Sequence, residues 1–262
     1  MLLRLAVWTV MGFLLAPLAI IILFSFHSSQ ALSFPFQGVS LRWYAEMFGN
    51  PQLVDAIVTS LIVAFGTAII TLILGLSASL AWLRMKPRAR SVLEGLTITP
   101  IALPGLFIGV ALLIGFSLFR VPLDKLTIIV AHVVISLPVM MIVMRARLEL
   151  FDTMLEEASR DLGANSLQTF RRVTLPLILP TLISAAILTF AISLDEFVVT
   201  GFVNGTETTL PMFIWSMMRR TVTPLINAIS TVLLVATLVI LVISNYIEQA
   251  SRRRQLRNRS GN

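Results

Sequence analysis

Cysteine is absent from the 262 residues. That excludes disulfide frameworks, thiolate metal sites, iron–sulfur clusters and a cysteine nucleophile. Histidine is almost absent: His27 and His132 leave little from which to build a metal centre. Charge is scarce as well, at 13% of residues, where a soluble domain carries about 25%. No glycine-rich Walker A sequence occurs, so the chain has no phosphate-binding loop of that kind for ATP. What is present in excess is apolar: 57% of residues are hydrophobic and the mean hydropathy is +0.92. Apolar runs recur at roughly the 20 residues a helix needs to cross a bilayer core of about 30 Å. Soluble enzyme folds are therefore excluded, and the chain reads as an all-α membrane protein.

Six apolar segments are expected to span the bilayer, at about 5–26, 56–83, 96–119, 126–144, 178–200 and 225–247. The first, preceded by Arg4, is longer than a secretory signal core and reads as an uncleaved span. The net charge of +7 comes from 18 Arg and two Lys against 13 acids. With both termini inside, 15 of the 20 basic residues fall on the inner side. The other five, Arg42, Arg120, Lys125, Arg219 and Arg220, fall outside. Such a bias is the positive-inside pattern, and no stripe of basic and aromatic residues resembles a nucleic-acid groove.

Two loops are long enough to do something. Outside, LRWYAEMF is expected to form a short amphipathic helix that sets Trp43, Tyr44 and Phe48 at the membrane interface. Inside, the stretch 145–177 contains LELFDTMLEEASRDLGA, with Leu148, Phe151, Leu155, Ala158 and Leu162 spaced along one helical face. Gly163 suits a left-handed cap that ends this helix. Ser166 is then placed to cap a second short helix, LQTFRRV, that returns the chain to the membrane at Leu175-Pro176. The unit is a helix, a turn and a helix, and its apolar stripe has the form that docks in a groove of a soluble partner. Elsewhere Pro100, Pro104, Gly105, Gly109, Gly115 and Pro138 interrupt the third and fourth spans. They read equally as bends beside a pathway or as close packing of small residues.

The inner loop resembles the EAA loop of permease subunits of type I ABC importers. Glu157-Ala158-Ser159, Gly163 six residues after the glutamate, and Val173-Thr174-Leu175-Pro176 keep every interval of that pattern, with Ser159 and Val173 as conservative departures. The resemblance implies that Glu157, Ala158, Ser159, Gly163, Leu175 and Pro176 couple the span to a cytoplasmic ATPase. The likeness continues through AHVVISLP, SLDEFVVTGFVNG and TLPMFIWSMMRRTVTPLINAISTVLL, which look like spermidine/putrescine permease segments. It implies one permease domain, 1–262, in the bacterial inner membrane. The implied partners are a second permease subunit, two cytoplasmic ABC ATPases that bind and hydrolyse the ATP, and a periplasmic substrate-binding protein. Two departures bear on substrate. The polyamine permease pattern has an acidic residue where this chain has Gly105 after Pro104, and another where it has Leu225 after Pro224. Their loss makes putrescine, or an amine that also carries an acid such as an amino acid, an opine or 4-aminobutyrate, more credible than spermidine.

The candidates for the substrate path are Asp195, Glu196 and Trp215. Asp195 lies 17 residues into a span beginning near Ile178, about 26 Å along it at about 1.5 Å per residue, so it sits near the outer end. The alternative is that both acids are hydrated rim residues. His132 is expected to hydrogen-bond to a neighbouring backbone or serine. A secondary transporter would need intramembrane ions for coupling, and an intramembrane enzyme would need paired catalytic groups; the EAA-type loop argues against both.

Overall fold

The computed structural model describes residues 1–30, 36–220 and 223–259. Among them the chain is helical and has no strand; its one β feature is an isolated antiparallel bridge between His27 and Val39. In order, the helices are α1 (Leu2–Ser25), α2 (Arg42–Phe48), α3 (Pro51–Arg84), α4 (Pro87–Ala102), α5 (Gly105–Leu118), α6 (Lys125–Glu149), α7 (Met154–Asp161), α8 (Ser166–Thr169), α9 (Leu175–Asp195), α10 (Thr200–Val203), α11 (Leu210–Arg220) and α12 (Pro224–Arg259), with a π turn at Phe170–Thr174 between α8 and α9. Five stretches are long and apolar enough to cross a membrane: Arg4–Ser25, Pro51–Arg84, Lys125–Glu149, Ser166–Asp195 and Pro224–Ile243. A sixth exists if α4 and α5 are counted as one bent span.

That bend corrects the expected third span. Helix α4 begins nine residues before 96, and the axis turns by 106° between α4 and α5. Pro104 lacks an N–H and disfavours the helical region for the residue before it; Leu103 sits at ψ 135°. The fifth expected span also changes. Its helix ends at Asp195, with Glu196 extended at ψ 118°, and it begins earlier than 178, since α8, the π turn and α9 run as one 30-residue stretch. Of the other interruptions, Pro138 lies inside an unbroken α6, and Gly109 is a packing residue: a Cβ there would lie 2.5 Å from Phe202 Cδ2. A bend is thus present at Pro104 and close packing at Gly109, while Pro138 leaves its helix intact.

The chain packs into two compact units, Met1–Thr59 with Thr208–Leu238, and Ser60–Glu207 with Val239–Asn262. In the first, Trp43 and Met47 of α2 are buried with Leu53, Phe213, Leu225 and Ile229. Trp43 Nε1 donates to the His27 carbonyl at 2.6 Å, and the Tyr44 and Ser25 hydroxyls are 2.7 Å apart. Helix α2 is therefore anchored to the protein through Trp43; of the three aromatics expected at the interface, Phe48 is the exposed one.

The second unit is built on α6, which starts with a capping box: Asp124 accepts from the Leu126 and Thr127 N–H groups, and Thr127 Oγ1 accepts from Asp124 N–H. In lipid, apolar side chains gain nothing by leaving solvent for one another, so helices associate through close backbone approach and interhelical hydrogen bonds worth about 0.6–2 kcal/mol each. Both devices are present. Gly75 lets α3 close on α6, since a Cβ there would fall 2.4 Å from Met140 Cγ. Thr71 Oγ1 of α3 lies 3.2 Å from Thr189 Oγ1 of α9.

Candidate functional site

Two places in the second unit hold the coupling and substrate-path residues singled out from sequence, apart from Trp215. The first is the segment between α6 and α9. The stripe expected on one helix is divided, because α6 stops at Glu149 and α7 starts only at Met154. Leu148 and Phe151 pack inward with Met144, Ile178 and Leu182, whereas Met154, Leu155 and Leu162 are exposed, as is Ala158. What holds α7 down is polar. Glu156 accepts a 2.6 Å hydrogen bond from the Thr174 hydroxyl and pairs with Arg160 at 3.2 Å. The Ser159 hydroxyl lies 3.2 Å from Thr169 Oγ1. The usual arrangement of a surface helix is inverted: polar groups bind it to its own chain and apolar groups face out. Glu157 is exposed; Glu156, its neighbour, is the acid that fastens the helix, a role no spacing rule distinguishes.

After α7 the chain turns in a full Schellman motif. Ala164 N–H reaches the Ser159 carbonyl at 3.1 Å and Gly163 N–H reaches Arg160 at 2.8 Å, with Gly163 at φ +85°. A Cβ at Gly163 would meet nothing within 4 Å, so glycine is demanded by the backbone and not by crowding. The next cap is Asn165 and not Ser166. Asn165 Oδ1 accepts from Gln168 N–H and Gln168 Oε1 accepts from Asn165 N–H, both at 2.9 Å, while Ser166 is already inside the helix. Nor is the second helix separate. The π turn carries it into α9, with Leu175 N–H bonded five residues back to Phe170 O, which accommodates Pro176, whose ring nitrogen has no hydrogen to return. Arg147 near the end of α6 donates to the Leu177 carbonyl at 2.8 Å, closing the loop at its base.

The second place is the far end of α9. The chain leaves the helix at Asp195, which is exposed. Glu196 turns inward: its Oε1 accepts from Val199 N–H at 2.9 Å, and its carbonyl accepts from the Thr200 hydroxyl at 2.9 Å. The two acids are thus not helical neighbours on adjacent faces, because the helix ends between them. His132 of α6, fully inside, bridges the break, with Nδ1 2.7 Å from Ser193 Oγ and Nε2 2.8 Å from Thr200 Oγ1. The single Thr200 hydroxyl proton goes to the Glu196 carbonyl, so Nε2 is the ring nitrogen that donates to Thr200. This is the serine-type partner expected for His132, with a second one that joins α6, α9 and α10. Trp215 lies on α11, in the first unit, 41% exposed with the Arg219 guanidinium 5.0 Å from its ring centroid.

Residues 71–257 match the family model described as binding-protein-dependent transport system inner membrane component. The chain is 32% identical over 241 residues to the spermidine/putrescine transport system permease protein PotC of Haemophilus influenzae, covering 92% of this chain and 93% of that one. It is 34% identical over 254 residues to the putrescine transport system permease protein PotI of Escherichia coli, covering 94% and 90%. Among solved structures, a bacterial ABC transporter involved in the import of the acidic polysaccharide alginate superposes with a TM-score of 0.67 at 17% identity, over 96% of this chain and 95% of that one. The inward-facing MetNI methionine ABC transporter gives 0.64 at 20%, over 79% and 98%. The fold is that of an ABC importer permease. The chain belongs to the family of inner-membrane components of binding-protein-dependent transport systems, and it is a multi-pass transport permease, not an enzyme.

Proposed function

We propose that this chain, acting as a single permease domain, is one half of the translocation path of an ATP-driven importer for a small amine-bearing solute. Putrescine and spermidine are the substrates to test first. The observation that carries the reading is identity of 32% and 34% to permeases named for those amines, across more than nine tenths of the chain. A second, similar permease completes the path. Two cytoplasmic ATPase subunits bind and hydrolyse ATP, and a periplasmic binding protein delivers the solute. Glu157, Ala158, Ser159 and Gly163, with Leu175 and Pro176, form the element that meets the ATPase. The inverted polarity of α7 supports this role, because Met154, Leu155 and Leu162 are exposed and become useful only against a partner. Asp195, Glu196 and Trp215 contribute to the substrate path. Of the two acids, Asp195 is the exposed one.

Gly105 and Leu225 favour the smaller or zwitterionic amines. Leu225 is buried in the apolar core of its unit, and Gly105 packs against Val198 and Val199, so neither position offers a carboxylate to a polycation. Uptake by the complete reconstituted transporter, with putrescine, spermidine and 4-aminobutyrate as separate substrates, is expected to rank putrescine first. Uptake of 4-aminobutyrate with no uptake of either polyamine gives the zwitterion reading instead, and uptake of none of the three sinks both.

Both termini are cytoplasmic in this proposal, as the distribution of basic residues requires. Single cysteines at Ser29 and Ser260, the latter outside the described residues, test it in intact cells. A membrane-impermeant reagent is expected to label position 29 and spare 260; the reverse pattern inverts the topology.

A further inference from the structure

Between the coupling segment and the bent helix pair lies a cluster that neither motif nor spacing marked. Trp82, near the end of α3, is buried. The Arg145 guanidinium of α6 lies 4.2 Å from its ring centroid, and that of Arg90 in α4 lies 4.7 Å from it. Glu94 of α4 joins them: Oε1 accepts from Arg145 Nη2 at 2.6 Å and from Trp82 Nε1 at 3.2 Å. Arg90 also caps α3, donating to the Trp82 and Leu83 carbonyls at 3.0 and 2.6 Å.

What this cluster holds is a helix with little else to hold it. Of the residues of α4, Thr97 alone is buried, and its hydroxyl lies 3.6 Å from Met141 Sδ of α6. A helix that buries so little within its own chain depends more on polar fastenings, and the Glu94–Arg145 pair, with side chains 37% and 18% exposed, is a charge-assisted one. Arg145 is four residues before the end of α6, where the coupling segment begins. Helix α4 leads through the 106° break into α5, and α5 packs at Gly109 on Phe202 of α10. Helix α10 is held to α6 and α9 by His132.

We infer that the Glu94–Arg145 pair, seated on Trp82, is the fastening through which motion of the coupling segment reaches α4 and changes the α4–α5 bend. The inference rests on the coupling reading of α7. Glu94 and Arg145 are positioning residues, acting through their contact with each other and with Trp82. When the coupling segment moves, α6 carries Arg145 with it, and Glu94 obliges α4 to follow. Without the pair α6 moves alone and α5 stays, so the path at the α10 end does not respond.

The test uses the complete transporter in lipid nanodiscs. Spin labels go on cysteines at Ile98 of α4 and Leu118 of α5, both exposed, in a chain with no cysteine of its own. ATP is expected to shift the distance between these labels in the parent protein and to leave it unmoved in Glu94→Gln. Uptake in Glu94→Gln is expected to fall about tenfold, the size of coupling that networks of this kind carry, while ATP hydrolysis continues. Arg145→Lys, which keeps the charge and loses the planar fork, carries the same test if Glu94→Gln does not assemble. The exchange Glu94→Arg with Arg145→Glu should restore at least part of the uptake and of the distance shift. An ATP-driven shift that is equal in Glu94→Gln and the parent overturns the inference, as does a parent distance that ATP does not move, or a loss of assembly that the charge exchange fails to repair. Gly163→Pro runs beside it: if that change uncouples transport and Glu94→Gln does not, the fastening is wrong and the coupling reading stands; if Gly163→Pro has no effect, the coupling reading itself fails.

Discussion

Gly163→Pro is expected to abolish uptake while the chain still inserts in the membrane. Gly163 sits at φ +85°, which a pyrrolidine ring fixed near −65° cannot adopt. The change also removes the N–H that bonds Arg160 at 2.8 Å. A proline so placed costs about 3 kcal/mol or more, and at 1.36 kcal/mol per factor of ten the native turn becomes roughly 150-fold less favoured. Gly163→Ala separates the two causes. It keeps the N–H, has open space for its Cβ, and meets only the left-handed penalty of about 1–2 kcal/mol. Uptake should therefore fall in the order proline, alanine, parent, with membrane insertion equal in all three. Co-purification of the ATPase subunits should fall in the same order. Glu157→Lys, on the exposed side of α7, reverses charge at the proposed docking surface and should weaken that association without disturbing the turn. Full uptake in Gly163→Pro would falsify the coupling role.

Asp195→Asn is expected to reduce uptake of a cationic amine by roughly tenfold or more, since an opposite charge about 4 Å away is worth about 1 kcal/mol in water and about 4 kcal/mol near a protein surface. The asparagine keeps the size of the aspartate, so the loss measures charge. Glu196→Gln should do little. The amide oxygen of glutamine still accepts from Val199 N–H, the bond Glu196 makes at 2.9 Å, and the Thr200 hydroxyl is bound to a backbone carbonyl that no substitution removes. Glu196→Ala deletes that acceptor and should cost about 1 kcal/mol through the turn that leads into α10. Initial rates over a range of amine concentrations decide the matter. Normal transport in Asp195→Asn with loss in Glu196→Gln exchanges the roles, and normal transport in both makes these acids hydrated rim residues.

The apolar runs and the bias of arginine identified a multi-pass helical membrane protein, because hydropathy and charge follow from composition along the chain and need no partner to be read. The pattern from Glu157 to Pro176 was legible for a similar reason. The Schellman turn, the glycine and the proline after it lie between Ser159 and Pro176, so local backbone rules set their spacing. Helix ends that depend on distant packing were not legible. Nothing in the run 178–200 tells that the helix stops at Asp195, because the break is held open by His132, which lies 61 residues before Ser193 and 68 before Thr200. Pro104 was visible as an interruption. That it bends the axis by 106° while Pro138 lies inside an unbroken helix depends on what surrounds each, with Pro138 buried in the core of α6's packing. Glu156 and Glu157 are equivalent in composition and hydropathy, and only the approach of Thr174 from the π turn makes the first a fastening and leaves the second exposed. Glu94, Arg145 and Trp82 stand 12 to 63 residues apart and read singly as ordinary residues of a basic membrane edge. They become one cluster because three helices converge there, and convergence of distant segments is a property of the tertiary fold that no local spacing encodes.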